Sequence, residues 1–226
     1  MNLKNMSESK PILAVETSEK KCGVCLYFSD DKYFESNINL KNSHSEKIFS
    51  SIEYVLKTAN TKIKDIGEVA VSIGPGSFTG LRIGLSAAKG IAMGGNLSIV
   101  PVPTFEAIAL QLSKYFDKKT EIIIAERVNT DEVYFSKIRT SLNSIETILP
   151  LEVIKIDNLI NKIENEPIIT NITSPENQFV NNIIVNLGSA DAFYVAKWSK
   201  LFGENTKTKD YDFLEPNYLK NFIVKK

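Results

Sequence analysis

The spacing of hydrophobic positions changes period several times along the chain, and each change marks an element. Residues 11–17 (PILAVET) form a continuous apolar run of strand length, and 22–29 and 33–40 follow after short polar links. Three neighbouring strands with tight connections predict an antiparallel meander. Over residues 45–59 the period lengthens to that of a helix, with Ile48, Ile52, Val55 and Leu56 on one face, and Ser43 and Glu46 stand at capping-box spacing ahead of it. Residues 68–73 (EVAVSI) alternate and are β-branched, as a half-buried strand requires. A run of helix formers and small residues, 79–93, and a strand, 98–102, complete the first half.

The pattern then restarts. Pro101 and Pro103 interrupt regular pairing and mark a lobe boundary; Thr104 is placed to cap a helix running to 116 that carries Ile108, Leu112 and Phe116. Strands are predicted at 121–126, 132–139, 152–156 and 167–172, and a helix at 190–201. Residues 203–212 are polar and lysine-rich, a loop, and the closing FLEPNYLKNF holds apolar side chains that must dock somewhere. Strands followed by helices, twice, predict an α/β protein of two lobes. The expected division is 1–103, 104–203, and a loop and tail, 204–226, that packs back on the core. A chain of 226 residues has room for two cores of this size.

Composition narrows the function classes. At 43% hydrophobic and 24% charged, the chain reads as an ordinary globular protein. Basic and acidic residues balance at 27 each, so no net field draws it to nucleic acid or membrane. The first residues are polar and no apolar run is long enough to span a bilayer, which makes the cytoplasm the expected compartment.

The most specific stretch is GPGSFTGLRIG, residues 74–84, set between a strand and a helix. That arrangement is the geometry of an anion site, because free backbone N–H groups and the helix dipole converge there. The spacing matches neither GxxxxGK[ST] nor GxGxxG. The alternative is structural: Gly74 and Gly76 supply unusual backbone angles around Pro75, and Ser77 or Thr79 caps the helix. Gly80, Gly84, Ala88 and Ala92 recur every four residues, a stripe with no side chain larger than methyl. Glycine inside a helix costs about 1 kcal/mol relative to alanine, so the stripe asks for a packing reason. It packs either inward on the sheet or outward on a partner.

Cys22 and Cys25 form a CxxC, but in a strand-like run they point to opposite faces and no second pair exists, so buried free thiols are expected. His44 is the single histidine, expected in the first turn of its helix in a structural role, and sites needing two imidazoles are excluded.

The glycine phrase, the opening ILAVETS (12–18), HSEKIF (44–49) and the closing EPNYLK (215–220) together resemble the TsaB family, formerly called YeaZ, of the bacterial threonylcarbamoyladenosine tRNA-modification machinery. The resemblance runs from end to end. It implies a two-lobe fold of the actin, hexokinase and Hsp70 type (ASKHA), with mixed five-stranded sheets flanked by helices. It also implies a non-catalytic subunit that pairs with TsaD, with TsaE completing the assembly, and that forms a homodimer when alone. On this reading tRNA is contacted only through the complex, and no metal or cofactor is required by this chain, ATP or ADP belonging to the complex. The pairing helices of the family correspond to 45–59 and 79–93. They place the interface at Gly80, Gly84, Ala88 and Ala92 with Ile48, Phe49 and Ile52, in the first lobe. Should nucleotide bind this chain, Thr17, Ser18, Gly74, Gly76 and Ser77 are the candidates.

Two departures from the pattern matter. Glu16 stands where nucleotide-binding relatives carry Asp, followed by lysines and no hairpin glycine; Glu126-Arg127-Val128 stands where family members more often read Asp-Ala-Arg. One histidine cannot reproduce the two-histidine metal motif of TsaD. The competing class is a small-molecule kinase or acyltransferase of the same superfamily, with Glu16 as base and the 74–80 turn holding phosphate.

Overall fold

The computed structural model describes residues 10–39, 44–116, 118–172 and 182–219. The first sheet is built from β1 (Ile12–Glu16), β2 (Lys21–Ser29), β3 (Lys32–Asn39), β4 (Glu68–Gly74) and β5 (Ser98–Pro103), in the order β3-β2-β1-β4-β5. The first three strands are the expected antiparallel meander, while β4 and β5 join in parallel through α1 (His44–Thr58) and α2 (Phe78–Gly95). The second half contains α3 (Thr104–Leu112), β6 (Thr120–Arg127), β7 (Glu132–Ser141), β8 (Ser144–Lys155), the short α4 (Ile156–Leu159), β9 (Ile168–Thr170), β10 (Ile184–Val185) and α5 (Ala192–Phe202). Its sheet runs β10-β9-β6-β7-β8, the first order again with β6 in the place of β1. Two mixed five-stranded sheets of repeated topology are the two-lobe α/β fold expected.

The alternation of β1 explains the layers. Leu13 and Val15 face α1 and α2, where Ile48, Ile52, Val55, Leu85, Ala88 and Ile91 close a core. Ile12 and Ala14 face the other way, onto Phe105, Ile108, Val195 and Trp198 of α3 and α5 and through them onto Ile122 and Ile124 of the second sheet. The two helices therefore lie between the sheets. Although α5 falls late in the chain, it packs on β1 and β2, tied there by Lys21–Asp191 at 2.5 Å and Lys197–Asp30 at 2.8 Å. Cys22 and Cys25 are buried in the two different cores, as alternation requires. Burial pushes the Cys22 thiol up to about 11, which keeps it unreactive.

Some expectations need correction. Pro101 lies inside β5 in regular register opposite Val71, whereas the register does shift between Ser72 and Gly74, just before the last pair, Gly74 with Pro103. An edge strand tolerates proline because one side of its ladder is free, and here Ile99 uses its free side to exchange two 2.8 Å backbone bonds with Thr208 of the tail. Thr104 is the first helical residue of α3, with Pro103 in the capping position, so its hydroxyl caps nothing and is buried without a partner. The strand expected at 152–156 begins at Ser144, since its half-exposed residues carry no clear period, and the two-residue β10 was too short to be seen. Ser43 of the expected capping box lies outside the described residues. The tail packs back: the Tyr211 hydroxyl donates to Leu97 O at 2.6 Å, and Asn217 N–H to Ile73 O at 2.7 Å.

Candidate functional site

The glycine phrase begins as β4 ends. Gly74 and Gly76 have φ of +118° and +153°, angles that favour glycine, and Ser77 caps α2 by accepting the Gly80 N–H at 3.2 Å. The turn is pressed onto the β1–β2 connection. Ser77 N–H donates to Ser18 O at 2.6 Å, the Thr17 hydroxyl to Gly80 O at 2.8 Å, and a Cβ at Gly76 would overlap the Ser18 carbonyl. Thr17, Ser18, Gly74, Gly76 and Ser77 are thus brought together as expected. They come together by bonding one another, and the amide of Ser77, which an anion would use, is already committed.

The small-residue stripe is resolved the same way. A Cβ at Gly80 would overlap the Thr17 carbonyl, and one at Gly84 the Thr17 hydroxyl, with Val15 3.5 Å away. All four stripe residues are buried, Gly80 and Gly84 against Thr17 at the end of β1 and Ala88 and Ala92 in the core that also holds Ile48 and Ile52. For Gly80, Gly84, Ala88 and Ala92 the expectation of direct partner contact is corrected: they let α2 lie close on the sheet. Of the expected interface set, Phe49 is 60% exposed, and Ile52 and Ile48 are largely buried but lie at the floor of the hollows between α1 and α2.

The opposite face of α2 has its own small residues. Ser86, Gly90 and Gly94 are exposed at four-residue spacing, and a Cβ at Gly90 or Gly94 would meet nothing within 4 Å. Between them and α1 runs an open groove of about 1060 Å³, lined by Phe49, Ile52, Leu56, Ile63, Ile91 and Gly94 among others. A second hollow of about 340 Å³ continues it along Phe49, Arg82, Ile83 and Ser86. Met93, 58% exposed, stands on the same helix. An exposed apolar surface of this kind marks an interaction site.

Between the lobes three carboxyl groups gather. Glu16, fully buried, accepts from Ser18 N–H at 2.6 Å and from the Ser72 hydroxyl, and burial still holds its pKa above the ordinary value. Glu126 on β6 is 1% exposed, and among the described residues neither of its oxygens has a hydrogen-bond partner; burial first, then the neighbouring Glu19 and Glu16, raises its pKa well above 4.5. Glu19 lies beside Asn171 and Gly188 at a polar cleft of about 350 Å³. Among the described residues no group of three His, Cys, Asp or Glu is arranged to hold a metal. Arg127 bonds locally, to the carbonyls of Asn129 and Thr130.

Comparison with known proteins agrees with this architecture. The family described as "TsaD: tRNA N6-adenosine threonylcarbamoyltransferase" matches residues 38–220. The tRNA threonylcarbamoyladenosine biosynthesis protein TsaB of Buchnera aphidicola subsp. Acyrthosiphon pisum is 30% identical over 160 residues, 67% of this chain and 71% of that one. The chain belongs to the TsaB family. Against TsaB of Haemophilus influenzae it is 29% identical over 127 residues, 56% of this chain and 53% of that protein, so the match spans about half the length of the first curated relatives. YeaZ from Pseudomonas aeruginosa superposes with a TM-score of 0.75 at 16% identity, covering 93% of this chain and all of that one, a likeness that shows the fold. The TsaB phrase GPGSFTGLRIG is therefore a strand-to-helix joint of this fold, and the open side of the helix it starts carries the groove. Sequence reasoning missed Gly90 and Gly94. Their signal was present, since a glycine in mid-helix needs a reason wherever it faces. Glu126 gave no signal beyond its departure from the family pattern.

Proposed function

We propose that this chain is a non-catalytic supporting subunit that pairs with TsaD, and through it TsaE, in forming N6-threonylcarbamoyladenosine in tRNA. The observation that carries the reading is the α1–α2 groove: apolar, open, and bordered by outward glycines that admit a close-lying helix. The names of its relatives place them in this biosynthesis, and the matched family is the transferase itself. The absence of a catalytic role is supported by the state of its best candidates. Glu16, the base of the kinase reading, is buried and bonded to Ser18 and Ser72, and the glycine turn is closed against Thr17 and Ser18. The subunit requires no cofactor of its own, any ATP or ADP belonging to the complex, and it meets tRNA through its partner. No described helix is long and apolar enough to cross a membrane.

Size-exclusion chromatography with light scattering, on the chain alone and mixed with TsaD of the same organism, tests the reading. The expected result is a homodimer alone, through the same groove, that gives way to a one-to-one complex. Two folded proteins that elute separately at micromolar concentration refute it. Calorimetric titration of the chain alone with ATP and magnesium is expected to show no binding; saturable heat would instead favour the kinase reading.

A further inference from the structure

Arg82 lies on the outward face of α2, at the small hollow that continues the groove. Its guanidinium carbon stands 4.0 Å from the centre of the Phe78 ring and 5.8 Å from that of Tyr218, and its Nε donates to the Tyr218 hydroxyl at 3.0 Å. The two rings are 5.0 Å apart and tilted by 37°, so they pack on each other, and the planar head lies over Phe78 of its own helix while the Tyr218 hydroxyl from the tail holds its Nε. Tyr218 is held in turn. The preceding residue donates its backbone N–H to Ile73 O, and the tail covers Gly74, where a side chain would come within 3.2 Å of the Asn217 carbonyl. Among the described residues no carboxylate forms an ion pair with Arg82, although most of the other ion pairs involve lysine.

An exposed arginine normally loses much side-chain entropy when a partner fixes it. Here the loss has been taken on folding, by two aromatic contacts and a hydrogen bond. Among the described residues nothing bonds the terminal donors of the planar fork, the geometry that grips a carboxylate with two parallel bonds. It stands at the end of an apolar groove, the arrangement in which a charged contact fixes the register of a docked helix.

We propose that Arg82 is a pre-organised anchor for an acidic side chain of the pairing protein, and that the tail residue Tyr218 sets its geometry. The inference rests on the pairing proposed above and gives it a polarity: the partner segment in the groove is apolar, with an Asp or Glu at the Arg82 end. It also gives the closing EPNYLK phrase a task. The tail positions a contact residue of the first lobe.

The test is titration calorimetry of the full chain with TsaD, at low and high salt, on four forms of the protein. Arg82→Ala is expected to weaken pairing about tenfold or more and to flatten its salt dependence. Arg82→Lys, which keeps the charge and loses the fork, is expected to recover little of this. Tyr218→Phe, which keeps the ring and loses the hydroxyl, is expected to weaken pairing about threefold, because the arginine is then less well oriented. Thermal unfolding of each variant should match the parent, since Arg82 is exposed. An unchanged dissociation constant in Arg82→Ala overturns the anchor and leaves the pairing reading standing. Full rescue by lysine overturns the role of the Phe78 and Tyr218 contacts. If Arg82→Ala pairs normally but the complex no longer retains tRNA, the guanidinium reads a phosphate and the proposal fails. Failure of the parent chain to pair overturns both readings together.

Discussion

The two faces of α2 carry the same kinds of residue at the same spacing and do opposite things. On the inner face Gly80, Gly84, Ala88 and Ala92 are buried on the first sheet, and a methyl group at either glycine would strike Thr17. On the outer face Ser86, Gly90 and Gly94 border empty space. A small residue on a helix states that something comes close. Which something is decided by the surroundings: the close neighbour is already present at the inner stripe, and among the described residues the outer glycines have none within 4 Å. The inner stripe is therefore a folding feature, and the outer one is the face on which the proposed pairing rests.

Substitutions separate the two. Gly84→Leu drives four carbon atoms into the Thr17 hydroxyl and Val15, and is expected to destabilise the fold by about 3 kcal/mol or more, read by urea unfolding. A normal midpoint for this variant would return the inner stripe to the surface. Gly90→Leu and Gly94→Leu are expected to leave unfolding nearly unchanged while weakening pairing by about 2 kcal/mol, roughly thirtyfold in dissociation constant. Phe49→Ala removes the exposed ring at the rim and is expected to weaken pairing about tenfold, again without loss of stability. Light scattering over a dilution series distinguishes these outcomes.

Glu126 extends the contrast from packing to charge, for it is a buried group without a hydrogen-bond partner among the described residues. Its pKa is raised in the folded protein, so between the ordinary value of 4.5 and the raised one the folded state holds a proton that the unfolded state has released. Its contribution to stability is complete below that range and is lost as pH rises through it. Melting temperature against pH should fall less steeply above pH 5 in Glu126→Gln than in the parent; identical slopes would mean that the carboxyl finds a partner in solution. The smallest expected effect is that of Gly90→Ala, which fills open space and improves helix propensity by about 0.5–1 kcal/mol. A loss of stability there would mean that the outer face is not open.

Much of the fold was legible because local pattern and burial agree. Strands β1 and β2, α1, β4, α2 and the strands β6 and β7 have clear patterns, since each buries one face or both. Where burial is partial, as along β8, or the element is two residues long, as in β10, no period exists to be read. The candidate site was legible as a pair of helices and misread in its facing. Phe49, named with Ile48 and Ile52, is exposed, whereas Gly90, Gly94 and Arg82 were passed over in favour of the more regular inner stripe.

The residues by themselves determined the family, through the phrases at 12–18, 44–49, 74–84 and 215–220, and the two-lobe α/β order, through alternation and helical spacing. They also determined that α2 must be approached closely, because glycine and alanine at every fourth position admit nothing else at reasonable energy. Only the tertiary structure decided which side of α2 meets β1, that the tail returns to hold Arg82, and that Glu126 is enclosed beside two further carboxyl groups. Each of these depends on segments far apart in the chain, and the period of a helix or strand reports how often a face recurs, never what lies against it.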